Sequence, residues 1–240
     1  MLTRLALVCS LFVLTACAST APAGDPWAGY NRQMFDTNLS LDRSVLEPVA
    51  KGYRDTAPKP ARDGLHNVLN NLRAPTDLFN NVLQGRPEAA FTTIIRFAVN
   101  STIGIAGLFD PATDMGIPIY AEDFGQTLAV WGVGPGPYTV LPLLGPSNVR
   151  DTTGLIVDTF THPFSVVRYD GSLIVQSTRF GTNSLDQRTR AIDLIDNLEE
   201  TSVDQYAAYR SLYEQSRANA IRNGAVDVDE LPDFEEFDDE

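Results

Sequence analysis

Cysteine is nearly absent from this sequence. The chain of 240 residues contains two, Cys9 and Cys17. Cys9 lies in an apolar N-terminal run that is typical of a cleaved secretion signal. Cleavage leaves only Cys17, which excludes an intramolecular disulfide even in an oxidising compartment. The fold must therefore be held by its own core or by its surroundings.

The residue patterns of common catalytic sites are also missing. The two histidines, His66 and His162, have no nearby cysteine and no HExxH pattern, so a zinc site is not expected. No G-x-S-x-G elbow is present, and the glycine-rich "GVGPGP" places proline where a phosphate loop needs N–H donors. We predict no catalytic residue, no metal and no cofactor, and therefore a protein that is not an enzyme.

Positive charge is scarce. Lys and Arg number 18 against 31 Asp and Glu, which gives a net charge of −13. The last 14 residues, "DVDELPDFEEFDDE", hold nine acids and no base. This balance argues against nucleic acid as a partner. We predict that residues 225–240 form a disordered acidic tail.

Long apolar runs are lacking as well. The run Leu5–Leu14, preceded by Arg4, is ten residues, too short to span a bilayer. It leads into "LTAC", the pattern at which bacterial lipoprotein precursors are acylated and cut. We predict a signal peptide over 1–16, a lipid on Cys17 and a linker over 17–24, although an ordinary secretion signal would also fit. Ala18 favours the outer membrane over the inner one.

The most apolar part of the remaining chain is the segment 88–109. Arg96 at its centre would cost about 3 kcal/mol on insertion scales, which disfavours a transmembrane helix. On a helical wheel its polar residues share one narrow stripe, which comprises Thr92, Thr93, Arg96 and Asn100. Such a stripe is typical of a helix with a polar cavity on one side. A half-buried helix that shows the stripe to water is the alternative.

The rest of the chain reads as mostly helical. Asp25-Pro26 is a helix start, Pro75 separates two helical stretches, and 186–222 has a helical period that ends at Asn223-Gly224. The stretch 132–151, "GVGPGPYTVLPLLGPSNVRD", is too rich in Gly and Pro for a helix and too apolar for a surface loop. We expect irregular backbone there.

Four segments carry a family resemblance. They begin "DPWAGYNRQMF", "RFAVNSTIGIAGLFDPA" and "DFGQTLAVWGVGPGPY", and the fourth is a closing helical hairpin that ends in "NG". In this order, behind a lipoprotein signal, they resemble the MlaA (VacJ) family of outer-membrane lipoproteins over residues 25–224. The acidic tail and the eight-residue linker have no counterpart that we can match.

The resemblance implies a fold, a function and partners. The implied fold is all-α, a flat ring of amphipathic helices embedded in the periplasmic leaflet of the outer membrane, around an amphipathic channel. The implied function is removal of phospholipid from the outer leaflet, with handover to a periplasmic carrier protein and often a trimeric porin alongside. The segment 132–151 would then form part of the ring and the channel rim, since irregular backbone at membrane depth must be buried or line a cavity.

Two arginines are candidates for contacting the phospholipid phosphate, because arginine binds phosphate bidentately. They are Arg96 and Arg150, and Thr92 and Asn100 accompany Arg96 on its stripe. Each arginine could instead belong to a structural ion pair, for example Arg150 with Asp151 or Asp158. A scaffolding envelope lipoprotein without transport activity and a lipase-like enzyme are the rival functions.

Overall fold

Helices make up most of the chain, as the sequence predicts. The computed structural model describes residues 25–162, 165 and 170–223. Within them the elements run α1 Ala28–Leu41, a π-helical turn Asp42–Leu46, α2 Glu47–Thr56, α3 Lys59–Leu83, α4 Pro87–Thr102, α5 Pro111–Asp114, α6 Phe124–Val130, β1 Tyr138–Leu141, β2 Gly145–Asn148, α7 Val149–Thr161, α8 Ser172–Arg190, α9 Ile192–Thr201 and α10 Gln205–Ile221. The predicted signal peptide, Cys17, the linker and the acidic tail lie outside these residues.

The first helix begins later than predicted. Its N-cap position is Trp27 rather than Asp25. The carboxylate of Asp25 is buried and accepts hydrogen bonds from Asn31 Nδ2 at 2.9 Å and Tyr206 Oη at 2.5 Å. Asp25 therefore ties the start of α1 to α10 instead of capping a helix.

Pro75 does not separate two helices, and this prediction was wrong. It lies inside the single 25-residue helix α3. A proline inside a helix removes one backbone hydrogen bond and strains the preceding turn. The polar side chains of α3 hold it on both sides of Pro75: Asn71 donates to Ser101 Oγ at 3.0 Å, and Asp77 accepts from the backbone N–H of Glu122 at 3.0 Å. These tertiary contacts offset the local cost.

The Gly/Pro-rich segment contains regular structure, contrary to expectation. Strands β1 and β2 pair antiparallel, with Tyr138 opposite Asn148 and Leu141 opposite Gly145. The hairpin turn places Leu143 at φ 63° and Gly145 at φ 80°. Two asparagines of α1 satisfy the free edge of β1: Asn31 bonds to Tyr138 O and Val140 N, and Asn38 to Leu141 O and Leu143 N. The side chains of α1 thus substitute for a third strand.

The distribution of polar and apolar side chains is inverted relative to a soluble globular domain. Among the described residues, nine hydrophobic side chains are buried, four of them alanines, against 19 buried polar or charged ones. A mostly aromatic apolar cluster lies between α1, β1 and α10, with Phe35, Tyr138, Val140 and Tyr206 at its centre. In the same part of the chain 31 large hydrophobic side chains are exposed. Soluble monomers rarely expose large apolar patches.

Exposed apolar side chains occur in both of the apolar segments that stand out in the sequence. In 88–109 they include Phe91 (64% exposed), Ile103 and Phe109, and in 132–151 Leu143 (69% exposed) and Leu144. Other exposed apolar residues belong to α7 and α8, for example Phe160 and Leu173. No helix in the described part of the chain is both long enough and apolar enough to cross a bilayer.

Candidate functional site

A polar cavity of about 220 Å³ lies between α3 and α4. Its floor and walls come from one face of each helix and from the segment that follows α5. The lining residues are Asn67, Asn70, Asn71, Arg73, Ala74 and Asp77 of α3, Thr93, Arg96, Phe97 and Asn100 of α4, and Asp110, Ile119, Tyr120 and Ala121. Most of these residues are polar, but apolar atoms, including those of Phe97 and Ile119, provide the larger share of the surface that lines the cavity. Three of the four stripe residues of α4, all except Thr92, therefore face a cavity, which agrees with the first of the two predicted alternatives.

Arg96 is held in a dense set of contacts on the cavity wall. Its Nη2 lies 2.9 Å from both carboxylate oxygens of Asp110 and 3.0 Å from Thr113 Oγ1, and its Nη1 donates to the carbonyl of Ile117. Only 11% of its side chain is exposed. Asn100 donates to the same Asp110 at 2.8 Å and accepts from Ala112 N–H at 3.1 Å. Together these bonds fix the 110–117 segment against α4.

The electrostatics of this pair match the contacts. Burial on its own would raise the pKa of Asp110, but hydrogen bonds from Thr113 and Asn100 and the charge of Arg96 hold it below its usual value. Asp110 therefore stays ionised, and its negative charge balances the positive charge of Arg96. A phosphate would have to compete with a carboxylate that already binds the guanidinium.

Thr92 and Arg150 lie apart from the cavity lining. On α4 the lining threonine is Thr93, whose Oγ1 donates to Ala89 O at 2.9 Å, while Thr92 is half-buried beside it. Arg150 is buried at the start of α7, with Nε 3.0 Å from Asp151 Oδ1 and Nη1 3.4 Å from the carbonyl of Val133. The structure thus brings Arg96 and Asn100 together and places Arg150 in an ion pair, as the alternative interpretation anticipated. Their roles in transport stay predictions.

Comparison with known proteins identifies the family. The model of the family "MlaA lipoprotein" matches residues 23–220. The chain belongs to the MlaA lipoprotein family. This confirms the resemblance drawn from the sequence motifs.

The chain is similar to relatives over most or all of its length. It is 32% identical over 245 residues to an Escherichia coli protein named "Intermembrane phospholipid transport system lipoprotein MlaA", covering 100% of this chain and 96% of the relative. A Haemophilus influenzae protein of the same name is 31% identical, with 96% of each chain covered. An uncharacterized Rickettsia bellii protein is 31% identical over 82% of this chain and 77% of its own length.

The fold is shared with a solved structure. A chain described under "Structural basis for maintenance of bacterial outer membrane lipid asymmetry" superimposes with a TM-score of 0.70 at 33% identity, over 82% of this chain and 98% of that one. At this identity the likeness extends to sequence as well as fold. The predicted mostly helical MlaA architecture is therefore confirmed.

The α3 wall of the cavity was not anticipated from the sequence of this MlaA protein. Asn67, Asn70, Asn71, Ala74 and Asp77 recur at a spacing of three and four, which places them on one helical face. The apolar residues of the same segment draw attention first, because they set the period of the helix. A polar stripe opposite an apolar one was the available signal, and it is as regular as the stripe on α4.

Asp77 is the most perturbed acid at the site. Burial raises the pKa of Asp77 to about 6, against the attraction of Arg73, whose Nε lies 3.0 Å from its Oδ1. Beneath it a second buried carboxylate, Glu122, accepts from Arg86 at 2.6 Å, Gln84 at 2.8 Å and Gln126 at 2.7 Å. This network makes the cavity base rigid as well as polar.

No metal-binding cluster accompanies the cavity. Residues 25–162, 165 and 170–223 contain no group of three or more His, Cys, Asp or Glu that could hold an ion. His66 instead contacts Asp186, with Nδ1 2.7 Å from Oδ2. The cavity offers amide, guanidinium and carboxylate groups, which can hold polar groups through hydrogen bonds and charge.

Proposed function

We propose that this protein transports phospholipid between membranes, taking it from the outer leaflet of the outer membrane and passing it to a periplasmic carrier. The observation that supports this most strongly is the inverted distribution of side chains. Exposed apolar residues surround a buried polar interior that contains a cavity. A phospholipid requires both environments at once. The names of the relatives, which describe intermembrane phospholipid transport, point the same way.

The size of the cavity indicates which part of the lipid it holds. Pockets that enclose a drug-sized ligand measure about 300–1,000 Å³. At about 220 Å³ this cavity can take a headgroup but not two acyl chains. We infer that the chains lie along exposed apolar side chains outside it, such as Phe91 and Ile94 on the opposite face of α4. The protein would then shield the headgroup from the membrane interior, while the acyl chains stay in contact with apolar side chains and lipid tails.

The proposed location follows from the same surface. We propose that Cys17 carries acyl chains and that the helices form a flat ring in the periplasmic leaflet, with the exposed apolar side chains in contact with lipid tails. Each buried CH₂ contributes about 0.8 kcal/mol, so such a surface adds to the lipid anchor. A porin alongside and a soluble carrier below would complete the route. No bond in the lipid is broken along this route, so no nucleophile is required.

Filling the cavity tests the proposal. Asn70 lines the cavity and is exposed, and its side chain makes no hydrogen bond within the described residues. Asn70→Trp should therefore block the cavity without breaking a contact. Its control is Asn197→Trp on the exposed surface of α9. Each variant would replace the wild-type gene, and outer-leaflet phosphatidylethanolamine would be labelled on intact cells with a membrane-impermeant amine reagent.

If the protein transports phospholipid through this cavity, Asn70→Trp cells should accumulate labelled lipid to the level of the gene deletion. Asn197→Trp cells should resemble the wild type. Immunoblots of membrane fractions check that protein levels are equal. A scaffolding lipoprotein would tolerate a filled cavity. Normal labelling in Asn70→Trp cells, with a strong signal in the deletion, would therefore favour scaffolding over transport.

A further inference from the structure

The two arginines that line the cavity differ in how many of their N–H groups are already hydrogen-bonded to other residues. Arg96 uses both Nη1 and Nη2, which bind Asp110, Thr113 and the carbonyl of Ile117. Arg73 donates Nε to Asp77 at 3.0 Å and Nη2 to the carbonyl of Glu122 at 3.3 Å, and its Nη1 contacts no acceptor within the described residues. Its side chain is 43% exposed. Arg73 therefore presents a free guanidinium edge at the cavity.

Helix α8 packs against α3 and carries a second arginine, Arg179. Arg179 is partly buried, and within the described part of the chain it has neither a hydrogen bond nor an ion pair. Burial, together with the positive charge of Arg73, lowers the pKa of Arg179. The ring of His162 is close by, with Nε2 3.3 Å from the carbonyl of Leu72, the residue before Arg73. Burial and then the charge of Arg179 lower the pKa of His162, so the imidazole is neutral at pH 7.

The charges of this arrangement are unfavourable. A guanidinium withdrawn from water without a counter-ion costs free energy, and a like charge nearby adds to the cost. Asp77 neutralises one of the two arginines but not both. Several other arginines in the described chain do contact carboxylates: Arg188 lies 2.9 Å from Asp42, and Arg217 lies 2.6 Å from Asp123. An anion beside Arg73 would supply the missing negative charge.

We propose that Arg73 binds the phosphate of the phospholipid headgroup and that Arg179 supplies the second positive charge that makes this point of the cavity attract an anion. The inference rests on the proposed transport function and assigns its phosphate site. Arg73 is the direct ligand, with the amides of Asn70 and Asn71 on the same wall. Arg179 is a positioning residue that acts through charge. The site therefore recognises the phosphate that all phospholipids share rather than the alcohol attached to that phosphate.

Binding of two labelled lipids tests this. The acylated full-length protein in detergent micelles would be titrated with a short-chain phosphatidylglycerol labelled on one acyl chain, and with a diacylglycerol that carries the same chains and no phosphate. The variants are Arg73→Gln, Arg179→Gln and Arg179→Lys. Arg54→Gln is the matched control, since it removes one charge from an exposed pair with Asp193. Inorganic phosphate would be added as a competitor.

We expect Arg73→Gln to weaken phosphatidylglycerol binding about tenfold or more, the loss typical of a charge-assisted hydrogen bond. Arg179→Gln should weaken it about threefold to tenfold, and Arg179→Lys should restore it, because charge rather than shape is required. Diacylglycerol binding should not change in any variant. Arg179→Gln should also raise the melting temperature, since it removes a repulsive charge. If Arg73→Gln does not fold, because Asp77 loses its partner, the double variant Arg73→Gln/Asp77→Asn replaces it.

Several results would overturn the proposal. Phosphatidylglycerol affinity that is unchanged in Arg73→Gln would exclude a phosphate site there while leaving transport intact. An equal loss for both lipids would mean that the arginines only support the fold. Displacement of the lipid by millimolar inorganic phosphate would identify a site for the free ion instead. If the wild type binds neither lipid, the proposed function itself fails, and this inference fails with it.

Discussion

At the scale of single residues, the same residue type has opposite roles within one cavity. Arg96 is the arginine that stands out in the sequence, because it interrupts an apolar segment. Its contacts show that it joins α4 to the segment 110–117. Arg73 does not stand out, since charged residues are ordinary in an amphipathic helix. Whether an arginine binds a ligand depends on which acids the fold brings next to it, and the sequence does not reveal that.

The ion pair of Arg96 yields a stability prediction. Arg96→Gln should lower the free energy of unfolding by about 2–3 kcal/mol, because it leaves Asp110 partly buried without its counter-ion. Adding Asp110→Asn should recover part of the loss. Thermal unfolding in detergent of both single variants and the double variant measures the coupling. Additive losses would show that the pair contributes no stability of its own.

Asp77 yields a prediction about pH. Its pKa is raised to about 6 in the folded protein, so the folded state holds a proton that the unfolded state releases near pH 4. Relative to Asp77→Asn, the wild type should lose stability as the pH rises from 4 to above 6, by up to about 3 kcal/mol. Urea unfolding at intervals across this range measures the difference.

Asp63 serves as the control for Asp77, since its shift has the opposite sign. The hydrogen bond from Lys59 lowers the pKa of Asp63 despite some desolvation, and the group is exposed. Its stabilising effect is present above the unfolded pKa and is lost as the pH falls through the folded one. Asp63→Asn should therefore lose stability relative to the wild type at neutral pH. A pH profile for Asp77→Asn that is parallel to the wild-type profile would contradict the buried-acid assignment.

At the scale of elements, helical periodicity and turn residues predicted several helices. They failed where side chains from distant parts of the sequence form hydrogen bonds that hold the backbone. The helical periods predicted α4, although the apolar segment runs seven residues past its end at Thr102, and they predicted the closing pair α9 and α10. The break at Pro75 was wrong because Asn71 and Asp77 anchor α3 to the neighbouring chain on both sides of the proline. The hairpin was missed because Asn31 and Asn38 satisfy its edge from 100 or more residues away. Both sets of contacts join residues that are far apart in the sequence, so they produce no periodic pattern from which they could be predicted.

Close helix packing gives a prediction at this scale. A Cβ on Gly154 of α7 would lie 2.2 Å from the backbone nitrogen of Gly125 and 2.7 Å from its Cα in α6. Backbone cannot move aside as a flexible side chain can. Gly154→Ala should therefore force the two helices apart and cost about 3 kcal/mol of stability.

The control for Gly154 is Gly181→Ala in α8, where an added Cβ would meet nothing within 4 Å. Alanine there should raise stability by about 0.5–1 kcal/mol, because it reduces the freedom of the unfolded chain. Melting temperatures of the two variants should thus move in opposite directions. Equal and small shifts would mean that α6 and α7 are not packed through this glycine pair.

At the scale of the whole molecule, composition alone does not reveal the inversion of the fold. A hydrophobic content of 43% is ordinary for a soluble domain. The difference lies in where those residues point: outward along α4, α7 and α8, while asparagines, acids and arginines occupy the interior. The polar stripe on α4 and the apolar Gly/Pro segment hinted at this. Deciding between a cavity and a water-facing stripe required the second wall, α3.

The inversion predicts how the protein behaves without its anchor. The body from residue 25 onward, exported with an ordinary cleavable signal and without Cys17, still carries exposed side chains such as Phe91, Phe160 and Leu173. Apolar patches beyond a few hundred Å² promote association in water. This body should therefore sediment with membranes or aggregate, and become monodisperse only when detergent covers the apolar surface. Analytical ultracentrifugation with and without detergent measures this.

A domain tethered by lipid alone would behave differently, because it would bury its apolar residues in its own core. Changing Phe91, Phe160 and Leu173 together to lysine provides the control, since these side chains are 64%, 73% and 76% exposed and have little packing to lose. If lipid tails normally cover them, the triple variant should be more soluble and bind membranes less, with its circular dichroism spectrum unchanged. A detergent-free monomer of the unaltered body would contradict the embedded ring, and the exposed surface would then need another partner.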